Sequence, residues 1–117
     1  MRDKTIYTLH SNICKALANP IRIEIIDILN DREMSFGEIQ EITGVLKSNL
    51  SQHLSMMVSN GILSQRKEGL NMYFRLTTEK IAIACRMMRE VLIENLKKHQ
   101  ELIKDLKPEI YIHESSR

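Results

Sequence analysis

Apolar residues recur at intervals of three and four along most of the chain, separated by short polar breaks, and this period predicts a series of helices. Ile6, Leu9, Ile13, Ala16 and Leu17 form one stripe, which predicts a first helix over 5–18. Asn19-Pro20 then punctuates the chain. Asn offers a side-chain oxygen as an N-cap, and Pro, with its φ preset and no N–H to lose, suits the first helical position. The second helix, over 21–29, carries Ile21, Ile25, Ile26, Ile28 and Leu29, a face wide enough to be the centre of the core. Polar Asn30-Asp31-Arg32-Glu33 ends it. Ser35-Phe36-Gly37-Glu38 has the form of a capping box and predicts a short third helix to about Ile42, closed by Thr43-Gly44.

The next predicted helix, over 47–59, has two unlike faces. Leu50, Leu54, Met57 and Val58 fall on one side; Ser48, Ser51, Gln52, Ser55 and Ser59 fall on the other. Glu and Lys are better helix formers for a merely solvated face. Small hydroxyls and an amide instead suit a surface that approaches base edges and phosphates. Two short helices across the tight Gly44-Val45-Leu46 connection predict a helix-turn-helix. After Asn60-Gly61 the period changes to two: residues 62–67 and 72–76 predict strands around Glu68-Gly69-Leu70-Asn71, with Met72, Phe74 and Leu76 on one face and Tyr73 and Arg75 on the other. The fold class expected is mainly α with a small β-hairpin, a winged helix-turn-helix.

A last helix is expected over about 78–106, with Thr78 as cap, roughly 42 Å long at 1.5 Å per residue. Its seam runs through Ile81, Cys85, Met88, Leu92, Leu96, His99, Ile103 and Leu106, close to a heptad repeat. A helix of this length overshoots a small domain, so part of the seam needs a partner. The stripe of the first helix is the other candidate, and the expectation is a homodimer through first and last helices. His99 reads as an interface histidine. Residues 1–107 are expected to form the domain and 108–117, with His113, a flexible tail.

Composition refines this picture. The 117 residues suit one domain, and with aromatics at 4% and no Trp the core must be Ile, Leu, Met and Ala. The seven Met residues, among them Met56, Met57, Met87 and Met88, read as packing rather than a copper site. The net charge of +2 is unevenly spread: between residues 46 and 76, Lys47, Arg66, Lys67 and Arg75 meet Glu68 alone. A polyanion can approach that stretch without opposition. No apolar run is long enough to span a membrane and Met1–His10 lacks the core of a secretory signal, so a cytoplasmic location is expected. An enzyme finds little support: there is no Gly-rich phosphate loop, no Ser-His-Asp spacing and no evident carboxylate pair. An interaction module that uses the last helix as a coiled coil without binding DNA fits the acid-poor middle and the serine-glutamine face poorly.

Three motifs in order carry a family resemblance: Lys15-Ala16-Leu17-Ala18-Asn19-Pro20-Ile21-Arg22; Leu50-Ser51-Gln52-His53-Leu54; and Arg66-Lys67-Glu68-Gly69 with Tyr73-Phe74-Arg75-Leu76. Together they resemble the ArsR/SmtB repressors over about residues 9–88. The resemblance implies a winged-helix homodimer on double-stranded operator DNA of twofold symmetry, released by a small inducer. It places Ser48, Asn49, Ser51 and Gln52 at DNA-reading positions, beside Lys47 and Ser55, and Arg66, Lys67 and Arg75 in the wing. Leu54 would be core and His53 semi-buried support. Leu46 stands where the family often has a helix cap, which suggests a later start capped by Ser48. Leu70 stands where the wing tip often carries Arg, which leaves phosphate contact to Arg66 and Lys67.

The family's sensor motifs are absent: Ser35–Gln40 lacks a Cys-x-Cys, the last helix lacks an Asp-x-His, and the second helix has Ile and Asp where persulfide sensors have Cys. Cys14 and Cys85 remain, on the two helices expected at the dimer interface. Three readings stay open: small buried hydrophobes; a thiol or sulfur-species switch, bridged if their Cα atoms lie within about 7 Å; or, with His10 one turn before Cys14, a soft site for a thiophilic metal or metalloid ion.

Overall fold

The computed structural model describes residues 3–100. Its elements run α1 (Thr5–Leu17), α2 (Pro20–Leu29), β1 (Met34–Ser35), α3 (Phe36–Thr43), α4 (Lys47–Ser59), β2 (Leu63–Glu68), β3 (Asn71–Leu76) and α5 (Glu79–Lys98). The chain divides into two compact units, Met1–Ala82 and Ile83–Arg117, with the division inside α5. The continuation of the last helix to 106, the seam positions Ile103 and Leu106, and the tail with His113 lie outside the described residues.

Local chemistry sets the boundaries of the first unit. Asn19 Oδ1 accepts from the backbone N–H of Ile21 at 2.9 Å and of Arg22 at 3.3 Å, with Pro20 opening α2. Ser35 Oγ accepts from Glu38 N at 3.1 Å while Glu38 Oε1 accepts from Ser35 N at 2.9 Å, so both halves of the capping box are made. The carboxyl of Glu38 is accordingly held below the ordinary carboxylate range, chiefly by that backbone bond. At the end of α4, Gly61 adopts φ 76; Ile62 N donates to Met57 O at 2.9 Å and Gly61 N to Val58 O at 3.0 Å. This is a Schellman closure, with Ile62 and Met57 both buried beneath it.

The core is almost wholly non-aromatic, as the scarcity of aromatics required, with Phe74 the exception among the buried residues described. Ile25, Ile26 and Leu29 of α2 meet Ile39 of α3, Leu50, Leu54 and Met57 of α4, and Ile62, Leu63 and Phe74 of the hairpin, all buried. Each such side chain contributes about 1.5–3 kcal/mol on burial. The α1 stripe behaves differently: Ala16 is buried, but Ile6, Leu9 and Ile13 are 62%, 56% and 46% exposed. In α5, Ile83, Met87, Met88, Val91 and Leu92 are exposed. Met57 and Met34 are core residues, whereas Met56, Met87 and Met88 lie at the surface, contrary to a packing role within the described residues.

The period of two located the hairpin but missed a strand. Met34 and Ser35 pair antiparallel with Phe74 and Tyr73, giving a three-stranded sheet in the order β1-β3-β2. Two residues are too few to show alternation, and Ser35 also caps α3. The hairpin loop is shorter than expected: Glu68 pairs with Asn71, leaving Gly69 and Leu70 as the turn. Gly69 at φ 63 supplies the positive φ that a two-residue turn of this kind needs at its first position.

Candidate nucleic-acid interface

The connection between α3 and α4 is fastened by side chains of α3. Thr43 Oγ1 donates to Ile39 O at 2.8 Å and accepts from Val45 N at 3.4 Å, and Gln40 Nε2 donates to Val45 O at 3.3 Å. Gly44, at φ 71, makes the turn. Helix α4 then begins at Lys47, with Leu46 as N-cap and no side-chain hydrogen bond there, so Ser48 is not the cap. Leu46 is extended, and Leu50 N donates to its carbonyl at 2.8 Å, closing the first turn two residues earlier than a Ser48 cap requires.

Leu50, Leu54 and Met57 seat α4 on the core, and this orients its other face outward. Lys47, Ser48, Asn49, Ser51, Gln52 and Ser55 are all exposed. His53, half-buried, accepts at Nδ1 from Arg22 Nη1 at 3.2 Å. Burial first, and the Arg22 charge second, hold the His53 imidazole below its ordinary pKa.

Between α4 and the hairpin runs an open cleft of about 490 Å³. Lys47, Ser51 and Ser55 line one wall; Gln65, Asn71 and Met72 line the other, above Leu54 and Phe74. Positive charge, hydroxyls and amides thus surround a concave surface whose floor is apolar.

Strand register divides the wing cations. Gln65 and Phe74 are partners, as are Arg66 and Tyr73, and successive residues point to opposite faces. Lys67 therefore shares the cleft-side face with Gln65, while Arg66 and Arg75 share the opposite face with Tyr73. Arg66, expected on a phosphate, is engaged there: Nε and Nη2 donate to the two oxygens of Glu33 at 2.8 and 2.7 Å, and Nη1 donates to Glu68 at 2.6 Å. Its guanidinium lies 4.6 Å from the Tyr73 ring centre. The Arg66 hydrogen bond holds the Glu33 carboxyl below its usual range, with the charges of Arg66 and Arg75 adding to it. Sequence reading did not single out Glu33, because the pair is separated by 33 residues and no local motif links them.

Cys14 is exposed on α1 and Cys85 is half-buried on α5, so burial as a small core hydrophobe does not describe Cys14. Among the described residues no group of three or more His, Cys, Asp or Glu side chains is placed to hold a metal ion. Among the same residues no helix is long and apolar enough to cross a membrane.

A capped helix-turn-helix with a polar reading face and a β-hairpin beside it defines a winged helix-turn-helix DNA-binding protein. The family model for bacterial regulatory proteins of the arsR family matches residues 19–65. Over 108 residues the chain is 32% identical to an uncharacterized HTH-type transcriptional regulator of Mycobacterium tuberculosis, Rv0081, spanning 92% of this chain and 95% of that protein. The crystal structure of Rv0081 aligns with a TM-score of 0.74 over 82% of this chain and 97% of that one. A biofilm growth-associated repressor of Xylella fastidiosa is 32% identical over 72 residues, 62% of this chain and 63% of that protein. A solution structure from Mycobacterium bovis, a homodimeric winged helix-turn-helix DNA-binding domain, is 29% identical with a TM-score of 0.74, covering 85% of this chain and 94% of that one. The chain belongs to the ArsR family and is a transcriptional regulator, not an enzyme.

Proposed function

We propose that the protein is a homodimeric repressor that binds operator DNA of twofold symmetry, with α4 in the major groove and a phosphodiester strand along the cleft beside the hairpin. The observation that carries this reading is the exposed Ser48, Asn49, Ser51, Gln52 and Ser55 face, backed by a fully buried Leu50, Leu54 and Met57. Gln52 is suited to a bidentate adenine contact. Lys47 and Lys67 supply the phosphate contacts, and Arg66 and Arg75 lie on the far face of the wing. The exposed stripes of α1 and α5 serve the dimer, in keeping with the homodimeric M. bovis domain. Its place of action is the cytoplasm.

The inducer reading favoured is a thiol-reactive or sulfur species acting on Cys14, whose exposure leaves its sulfur open to attack, with Cys85 as the second thiol. Binding of the full chain to a duplex from its own upstream region, measured across salt concentrations, tests the main reading. Affinity should fall steeply with salt and exceed that for random duplex by about a thousandfold or more. Equal affinity for both duplexes would count against an operator-specific repressor.

A further inference from the structure

We infer that Glu33 is a positioning residue for DNA binding, setting the angle of the wing to α4 through Arg66. The inference rests on the reading that a DNA strand lies in the cleft between them.

The sheet has a weak side. Strand β1 pairs with β3 at two positions only, whereas β2 pairs with β3 at six. Glu33 immediately precedes β1, and Arg66 lies in β2, the opposite edge of the sheet. The guanidinium crosses the middle strand over the Tyr73 ring to take both oxygens of Glu33. The contact therefore joins the two edges of the sheet, which share no ladder of their own. A bidentate Arg–carboxylate pair fixes direction as well as distance, and stacking on an aromatic ring fixes the guanidinium plane. Glu68 holds the remaining edge of the fork.

This brace lies on the face of the hairpin opposite the cleft. It touches neither Lys47 nor Lys67 nor the reading face of α4, yet the strands that carry it also carry Gln65, Asn71 and Met72 of the cleft wall. Half-exposed ion pairs add little to global stability. The effect expected is on the orientation of the hairpin, hence on the match between Lys67 and the phosphates. The competing role for Arg66 is a direct phosphate contact, which requires it to leave Glu33.

The two roles differ in charge accounting. A lost phosphate contact lowers the slope of log K against log salt by about one, whereas a lost brace weakens binding without changing the number of ions released. The variants are E33Q, which keeps shape but removes the charge, and R66K, which keeps charge but removes the fork and the stack. Fluorescence anisotropy with upstream and random duplexes across a salt series should show both variants binding the upstream duplex about tenfold more weakly, with the slope of the unaltered protein. The double variant should be no weaker than either single one. Hydrogen exchange of the free proteins should show faster exchange at 63–76 in both. E33Q binding more tightly with a steeper slope, R66K binding as the unaltered protein does, or unchanged exchange at 63–76 in both variants would overturn the inference. Loss of salt-dependent DNA binding by the unaltered protein would instead overturn the operator reading, and the exchange result would still decide whether the brace orders the hairpin.

Discussion

Arg22 Nη1 donates to His53 Nδ1 at 3.2 Å, and the same guanidinium reaches the Ala16 carbonyl through Nε at 2.6 Å and the Lys15 carbonyl through Nη2 at 3.4 Å. One side chain thus fastens the end of α1 to the middle of α4, next to Gln52. Arginine has no acceptor, so His53 must present the lone pair of Nδ1 and carry its proton on Nε2.

That arrangement is sensitive to acid. Protonated His53 would lose its acceptor and place two cations side by side, consistent with a pKa lowered from 6.5 by burial and by Arg22. The unfolded chain then takes up a proton before the folded one. Stability from this contact is present above pH 6.5 and is lost as pH falls through the folded-state value. NMR titration should place the His53 midpoint below 6.5, and R22M should move it upward. A midpoint at or above 6.5 in the unaltered protein contradicts the assignment.

Leu46 leaves the first turn of α4 without a side-chain cap, and it is 75% exposed. L46S should stabilise the protein by about 0.5–2 kcal/mol, raising Tm by several degrees. L46D should stabilise it similarly while weakening DNA binding, because a carboxylate at that helix end repels phosphate. Thermal melts and anisotropy measured on the same variants check both halves.

Gln52 is the residue expected to discriminate bases. Q52A should relax preference at one position of each half-site, with a loss of about 1–3 kcal/mol on the preferred sequence and almost none on random duplex. Selection from a randomised duplex pool reads this directly. Equal losses on both duplexes would remove Gln52 from base reading.

The face assignment of the wing predicts unequal effects of similar charge losses. K67Q should lower the salt slope by about one, as should K47Q, whereas R75Q should leave it nearly unchanged. Lys67 shares its face with Gln65 and Met72 of the cleft wall, and Arg75 shares its face with Tyr73 and acts by charge on Glu33. A full unit lost in R75Q would place the DNA on the other side of the hairpin.

The cysteine reading is tested by C14S, C85S and the double variant on an assembled DNA complex. Polysulfide should release the unaltered protein, and C14S should stay bound. Release of the double variant to the same extent would end the thiol reading. Mass measurement after exposure identifies the sulfur added.

Much of the DNA-binding face was legible because the signals are local. The Asn19 cap, the Ser35–Glu38 box and the Leu50, Leu54, Met57 period act within one or two turns, so the sequence by itself determined the helices and which side of α4 is buried. Alternation likewise marked the hairpin and its Gly69 turn. Tertiary structure decided what depends on distant partners. Met34 and Ser35 became a strand only because Phe74 and Tyr73 present an open edge to them. The wing cations divided by face because register, not composition, aims a strand side chain. Arg66, expected on a phosphate, is paired with Glu33, 33 residues away, because the two meet across the sheet. Positive charge is legible in a sequence; whether it is already neutralised is a property of the folded chain.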